Sequence, residues 1–267
     1  MSAARVALMG AIAGCTIFVG LPIGRLRAPM PRTRALLNSL AIGILVFLLW
    51  DVLAHAWEPV NGAIKDRRYG PALREGLVLA GGTGLGLVGL VYFDRWVARR
   101  AKAYGGPPDT AAGWRHPAAH LALLIAVGIG LHNFAEGLAI GSSAATGELS
   151  LALLLVIGFG LHNGTEGFGI VAPAAAAGTR LSWSHLGLLG LIGGGPTFVG
   201  TLIGQRFTDE TLSVAFLSLA AGSILYVVIE LLAVGRKFNA KSVTTWGLLA
   251  GLLLGFATDA IVTAAGA

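Results

Sequence analysis

The chain alternates long apolar blocks with shorter polar connections. A membrane span needs about 20 mostly apolar residues. Eight blocks qualify, at 4–24, 35–56, 73–96, 118–141, 149–172, 184–204, 211–234 and 243–265. The pattern predicts an all-α integral membrane protein with eight transmembrane helices. The first block contains Ile12-Ala13-Gly14-Cys15, which resembles a lipoprotein cleavage box. Its apolar run continues to Gly24, as a membrane helix does and a signal-peptide core usually does not. It is therefore read as an uncleaved helix.

The connections carry the topology. Those at 25–34, 95–117, 173–183 and 235–242 hold 13 Lys and Arg residues, and the opposite side, with the N-terminus, holds 6. Cytoplasmic loops carry the excess of Lys and Arg. The richer side is assigned to the cytoplasm of a cell (inner) membrane and both termini to the outside, as an even number of spans requires. The connection 97–117 contains Tyr104-Gly105-Gly106-Pro107-Pro108-Asp109 and reads as a flexible cytoplasmic loop. Within one polytopic domain, 1–267, it separates helices 1–3 (1–96) from a central pair (118–172) and helices 6–8 (173–267). This 3+2+3 arrangement suggests an inverted repeat of the outer three-helix blocks, a common transporter design. The two blocks show no clear sequence match.

Composition narrows the class. Hydrophobic residues make up 55% of the 267 residues and charged residues 12%, against about 25% charged in a soluble domain. Mean hydropathy is +0.77. Forty glycines among apolar runs suit closely packed membrane helices. A disordered chain, a disulfide scaffold and nearly every soluble enzyme are excluded. A single cysteine, Cys15, rules out an intrachain disulfide and C-x-x-C chemistry. The net charge of +6 would suit nucleic acid, but the basic residues follow the membrane topology instead, and no nucleic-acid partner is expected.

The chemistry lies in a repeat. Residues 128–140 read GIGLHNFAEGLAI and residues 158–170 read GFGLHNGTEGFGI, with eight identities at an offset of 30. His132 and Glu136 are four apart and share a helix face, as do His162 and Glu166. Asn133 and Asn163 sit beside the histidines, about 100° around the helix. A short connection, 142–148, makes the two helices antiparallel neighbours. A carboxylate at mid-membrane costs roughly 2.5–3.5 kcal/mol on insertion scales. Neither helix contains a Lys or Arg to offset its glutamate. A lone His or Asn also reads as an interhelical hydrogen bond, but two copies of one His-Asn-x-x-Glu face are poorly explained by packing alone. Imidazole with carboxylate suits Zn²⁺ and other first-row divalent metals.

These motifs resemble the ZIP family of divalent metal transporters. His132-Asn133-Phe134-Ala135-Glu136-Gly137 is similar to the family's fourth-helix signature, and His162-Asn163-Gly164-Thr165-Glu166-Gly167 to its fifth-helix partner. Gly194 to Gly200 resembles its sixth helix and Ala221 to Glu230 its seventh. The resemblance implies uptake of Zn²⁺, with Fe²⁺, Mn²⁺ or Cd²⁺ often accepted, through a binuclear centre between helices 4 and 5. Carried over by position, His132, Glu136, His162 and Glu166 would ligate the primary ion, and Asn133 and Asn163 would line a second site. The expected partners are divalent metal ions, the lipid bilayer and a second copy in a homodimer.

Departures from the family pattern bear on the second site. Ala135 and Thr165 stand where many members have proline, which puts the usual kink in question. Gly195 stands where a carboxylate often precedes the sixth-helix proline, and Asn163 where an acid is common. Both changes predict a weak or absent second site. The cytoplasmic loop has no histidine-rich run and ends in His116, followed by His120.

Asp51 and His55, also four apart, read either as a metal pathway or as an end-of-helix pair near the belt residue Trp57. Glu230 reads as an exit acceptor or a partner of Arg236. Asp259 is read as too near the outer interface to take part. The Gly81-Gly82-Thr83-Gly84-Leu85-Gly86 run fits helix packing far better than phosphate binding. Two rivals to transport stay open, an intramembrane zinc-dependent hydrolase and a metal-binding membrane sensor. The absence of H-E-x-x-H and the symmetric ligands weigh against an enzyme.

Overall fold

A computed structural model describes residues 2–25, 31–103, 116–145, 149–206 and 209–264. Helices occupy nearly all of them, and no strand occurs among the described residues. We number the helices as spans. The rod α1 covers Ala3–Arg25, followed by α2 (Pro31–Lys65), α3 (Tyr69–Ala103), α4 (Pro117–Ala145), α5 (Leu149–Ala176), α6 (Trp183–Gly204), α7 (Glu210–Lys237) and α8 (Lys241–Ala264).

Seven of these pass as membrane spans by length and hydropathy among the described residues. The eighth helix, α5, is 28 residues long and carries His162, Asn163, Thr165 and Glu166. Several helices also run past their apolar blocks. Helix α3 continues to Ala103, into the segment read from sequence as loop 97–117; residues 104–115 of that loop lie outside the described residues. Helix α2 continues through Pro59 to Lys65 and turns at once into α3, with Arg67 in the left-handed region at φ 58°. Solvated polar ends can stay helical, because hydropathy marks the lipid-buried length and not the helix end.

The helices fall into two groups by contact. Helices α1, α4, α5 and α6 pack on one another, and α2, α3, α7 and α8 form the second group. The main joints between groups are α2–α5 and α4–α7. Close approach is made by glycine. A Cβ at Gly137 or Gly141 of α4 would strike the Thr197 or Thr201 carbonyl of α6. Gly200 and Gly204 of α6 face Phe134 and Leu138 of α4 in the same way. This two-way interlock leaves no room to rotate α4, so it fixes which side chains α4 presents to α5. In the glycine run of α3, Gly82 and Gly86 pack against Ser218 and Leu219 of α7, while Gly81 and Gly84 meet nothing.

Both described ends of the chain lie on one face, called here the terminal face. The opposite face gathers Arg25, His116, Thr179 and Leu181, where Arg25 donates to the Leu181 carbonyl and Thr179 meets His116.

Candidate metal site

Helices α4 and α5 run through their motifs without interruption. The 3.6-residue repeat therefore holds each His above its Glu on one face. Interhelical packing then turns the two faces toward each other. Glu136 Oε1 lies 3.0 Å from His132 Nε2 on its own helix and accepts a 2.7 Å hydrogen bond from His162 Nε2 on the other. Glu166 Oε1 lies 3.9 Å from His132 Nε2. One ligand atom each from His132, Glu136 and His162 falls within 4.8 Å of the other two. Metal–ligand distances of 2.0–2.2 Å place tetrahedral ligand atoms about 3.4 Å apart, and the observed spacings bracket that value. Phe159 sets its ring edge against His162 at 5.5 Å, which limits how that imidazole turns.

Burial is nearly complete. His132, Glu136 and Glu166 are almost wholly shielded, and His162 keeps a small exposed edge. Yet much of the polar capacity here is unmet within the protein. His132 Nδ1 and Nε2, Glu136 Oε2, both oxygens of Glu166 and the Oδ1 atoms of Asn133 and Asn163 are buried without a hydrogen-bond partner. Each such atom costs about 1–3 kcal/mol if nothing binds it. A concentration of them on one pair of helices is what a cation site requires. The donor set of two imidazoles and two carboxylates fits a borderline divalent metal such as zinc.

The two asparagines do different work with their two ends. Asn133 donates to the Gly193 carbonyl of α6 at 3.0 Å, and Asn163 donates to the Ala13 carbonyl of α1 at 3.2 Å. Each pins its motif helix to a neighbour and leaves its oxygen buried without a hydrogen-bond partner. The Ala13 carbonyl also accepts from the Thr16 hydroxyl at 2.7 Å, where α1 changes pitch. These backbone acceptors have no signature in the sequence.

A cavity of about 780 Å³ reaches the site from the terminal face. His132, Glu136 and His162 line its floor; Asp51 and His55 of α2, Asp209 and Glu210 at the start of α7, and Asp259 of α8 line its walls. The Asp51–His55 pair is thus brought to the site, with His55 Nδ1 3.4 Å from Asp51 Oδ1. Asp259, set aside on sequence grounds as too close to the interface, is on the cavity wall. Asp209 and Glu210 were not singled out from sequence, because a loop-to-helix acid normally reads as a cap, and Asp209 does cap α7 by accepting from Leu212 N–H. Glu230 lies elsewhere on α7 and does not line this cavity. Gly195 departs most from its expected place. A Cβ there would meet only Leu191 of its own helix, and Gly195 lines a separate apolar groove with Cys15, Phe18 and Pro196. The rotation of α6 set by Gly194, Gly200 and Gly204 turns residue 195 away from the glutamates.

A protein-family model described as ZIP zinc transporter matches residues 107–263. No curated protein matches the chain.

Proposed function

The chain belongs to the ZIP zinc transporter family, a family of divalent metal transporters, and we propose that it carries Zn²⁺ into the cytoplasm through the His132–Glu136–His162–Glu166 site. The observation that carries this reading is the convergence of both motif copies, with unmet ligand atoms, on the floor of a cavity walled by carboxylates.

The chemistry follows from charge. A bare divalent ion pays a large desolvation cost inside a membrane protein. Two ionised glutamates neutralise its two charges, and two neutral imidazoles complete the coordination without adding charge. The loaded site is then neutral overall, which lowers the cost of moving the ion past lipid. The acids on the cavity wall attract cations to the mouth, and Asp51 with His55 passes them inward. Binding replaces the His162–Glu136 hydrogen bond with bonds to the metal. Asn133 and Asn163 hold the helices in register and offer amide oxygens to a second, weaker ion. Glu230 stands on the exit side.

The 13-charge side faces the cytoplasm, so the cavity opens outward. The packing pairs are consistent with an inverted repeat: α1–α5 answers α4–α6, and α2–α8 answers α3–α7. Purified protein in proteoliposomes should accumulate radioactive zinc, and Glu136→Ala should reduce accumulation to that of empty vesicles. Stoichiometric zinc binding without accumulation would overturn the proposal in favour of a sensor. Fe²⁺, Mn²⁺ and Cd²⁺ are then tested as competitors.

A further inference from the structure

The cavity separates the two helix groups on the terminal face, so something must hold them together on the other. There, helix α3 of one group meets α4 of the other at few points. Gly128 of α4 sits beneath Leu90 of α3, whose side chain would approach a Cβ at 3.3 Å. Farther toward the opposite face, Asp94 Oδ1 of α3 lies 2.8 Å from His120 Nε2 of α4. His120 precedes His132 by twelve residues, about 18 Å along the helix. It is separate from the metal site and plays no part in it.

The pair crosses between groups, in contrast to most polar side-chain contacts on that face. Thr179–His116 and Arg25–Leu181 stay within the α1, α4, α5 and α6 group and its turns. Asn38–Leu231 stays within the other group. A second crossing tie runs from Arg34 of α2 to the Ala175 carbonyl of α5 at 2.8 Å. The charged and titratable groups around the pair include Arg95 beside Asp94, His116 one turn before His120, and Glu230 and Tyr226 of α7, both within electrostatic reach of Asp94, with Lys237 acting on Glu230. Asp94 is 41% exposed and His120 18%. Both can be rehydrated when parted, so the tie is strong enough to bias two conformations and weak enough to open repeatedly.

We propose that Asp94 and His120 form a latch that closes the opposite face while the cavity is open, and that the latch parts when metal leaves on that side. The inference rests on the transport reading above. It assigns a conformational role to two residues outside the ligand set.

The test uses thiol labelling in proteoliposomes in a Cys15→Ser background. One reporter, Leu90→Cys, sits between the groups near the latch; the other, Ala139→Cys, lines the cavity. Asp94→Asn and His120→Gln should each raise the labelling rate at 90 and lower it at 139. The expected change is about two- to fivefold, the range an exposed ion pair contributes. The swapped pair, Asp94→His with His120→Asp, should restore the original rates. Unchanged rates overturn the latch, as does a swap that fails to restore them. A rise at both reporters overturns it too, since that reports a loosened fold and not an exchange of faces. Zinc accumulation by the unlabelled parent separates the two proposals. Accumulation without a labelling shift removes the latch alone, and a shift without accumulation removes the transport reading and with it the coupling of the latch to metal release.

Discussion

Glu75 and the pair Glu136 and Glu166 are all carboxylates with almost no solvent exposure, yet they keep different company. Glu75 sits where α3 packs against the start of α7. Its Oε1 accepts from Arg74 Nε at 3.1 Å, Arg74 Nη2 at 2.8 Å and Thr211 Oγ1 at 2.6 Å, leaving only Oε2 without a partner. Arg74 itself is largely exposed, so its cation stays hydrated while its stem reaches the buried acid. Glu136 and Glu166 have no Arg or Lys. Between them they leave three oxygens unmet, beside an imidazole with neither nitrogen hydrogen-bonded. A buried acid that brings its own cation holds helices together. A buried acid pair that lacks one has no cation of its own within the described protein, and on the transport reading proposed above a metal ion supplies it.

The sharpest way to break this contrast is to remove the acids. Glu166→Ala should abolish zinc accumulation and the thermal stabilisation by zinc, while the metal-free protein melts no lower than its parent, because an uncompensated carboxylate has been deleted. A metal-free melting temperature that drops sharply would make Glu166 a structural residue like Glu75. Acidification should come next in size. An imidazole donates its lone pair only when neutral, so protons compete with zinc for the site, and zinc affinity should fall by at least about tenfold between pH 8 and pH 5. Equilibrium binding with no gradient, between pH 8 and 5, checks this; a flat profile would remove the histidines from the ligand set.

Glu75→Ala should behave in the opposite way to Glu166→Ala. It should cost about 1–3 kcal/mol of stability, because Thr211 loses its acceptor, and leave accumulation per folded molecule unchanged. Loss of transport at full stability would show that the contrast is false. The smallest effect is expected from Asn133→Ala. Losing its tie to the Gly193 carbonyl should cost about 0.6–1.7 kcal/mol, the range measured for polar contacts between membrane helices. Thermal denaturation with and without zinc separates that cost from any loss of metal.

Much of this was legible in the chain itself. The eight apolar blocks, the His-Asn-x-x-Glu repeat and the sharing of a face by His132 and Glu136 depend only on local composition and the 3.6-residue period. So did the metal chemistry, since the types of residue set the ligand class. The helix bounds were less legible. Polar ends such as those of α2 and α3 remain helical in water.

What only the tertiary structure decided was rotation and neighbourhood. Glu136 lies between imidazoles of two different helices because the glycines of α4 and α6 lock α4 at one angle. The same locking turns Gly195 toward the groove with Cys15 and away from the glutamates, although its position beside Pro196 suggested otherwise. Asp209, Glu210 and Asp259 reach the cavity from α7 and α8, and His120 reaches Asp94 across 26 residues of chain. The physical reason is one of range. Hydropathy and periodicity act along a few turns of one helix, whereas the angle at which two helices meet depends on which small residues from distant segments allow their backbones to touch.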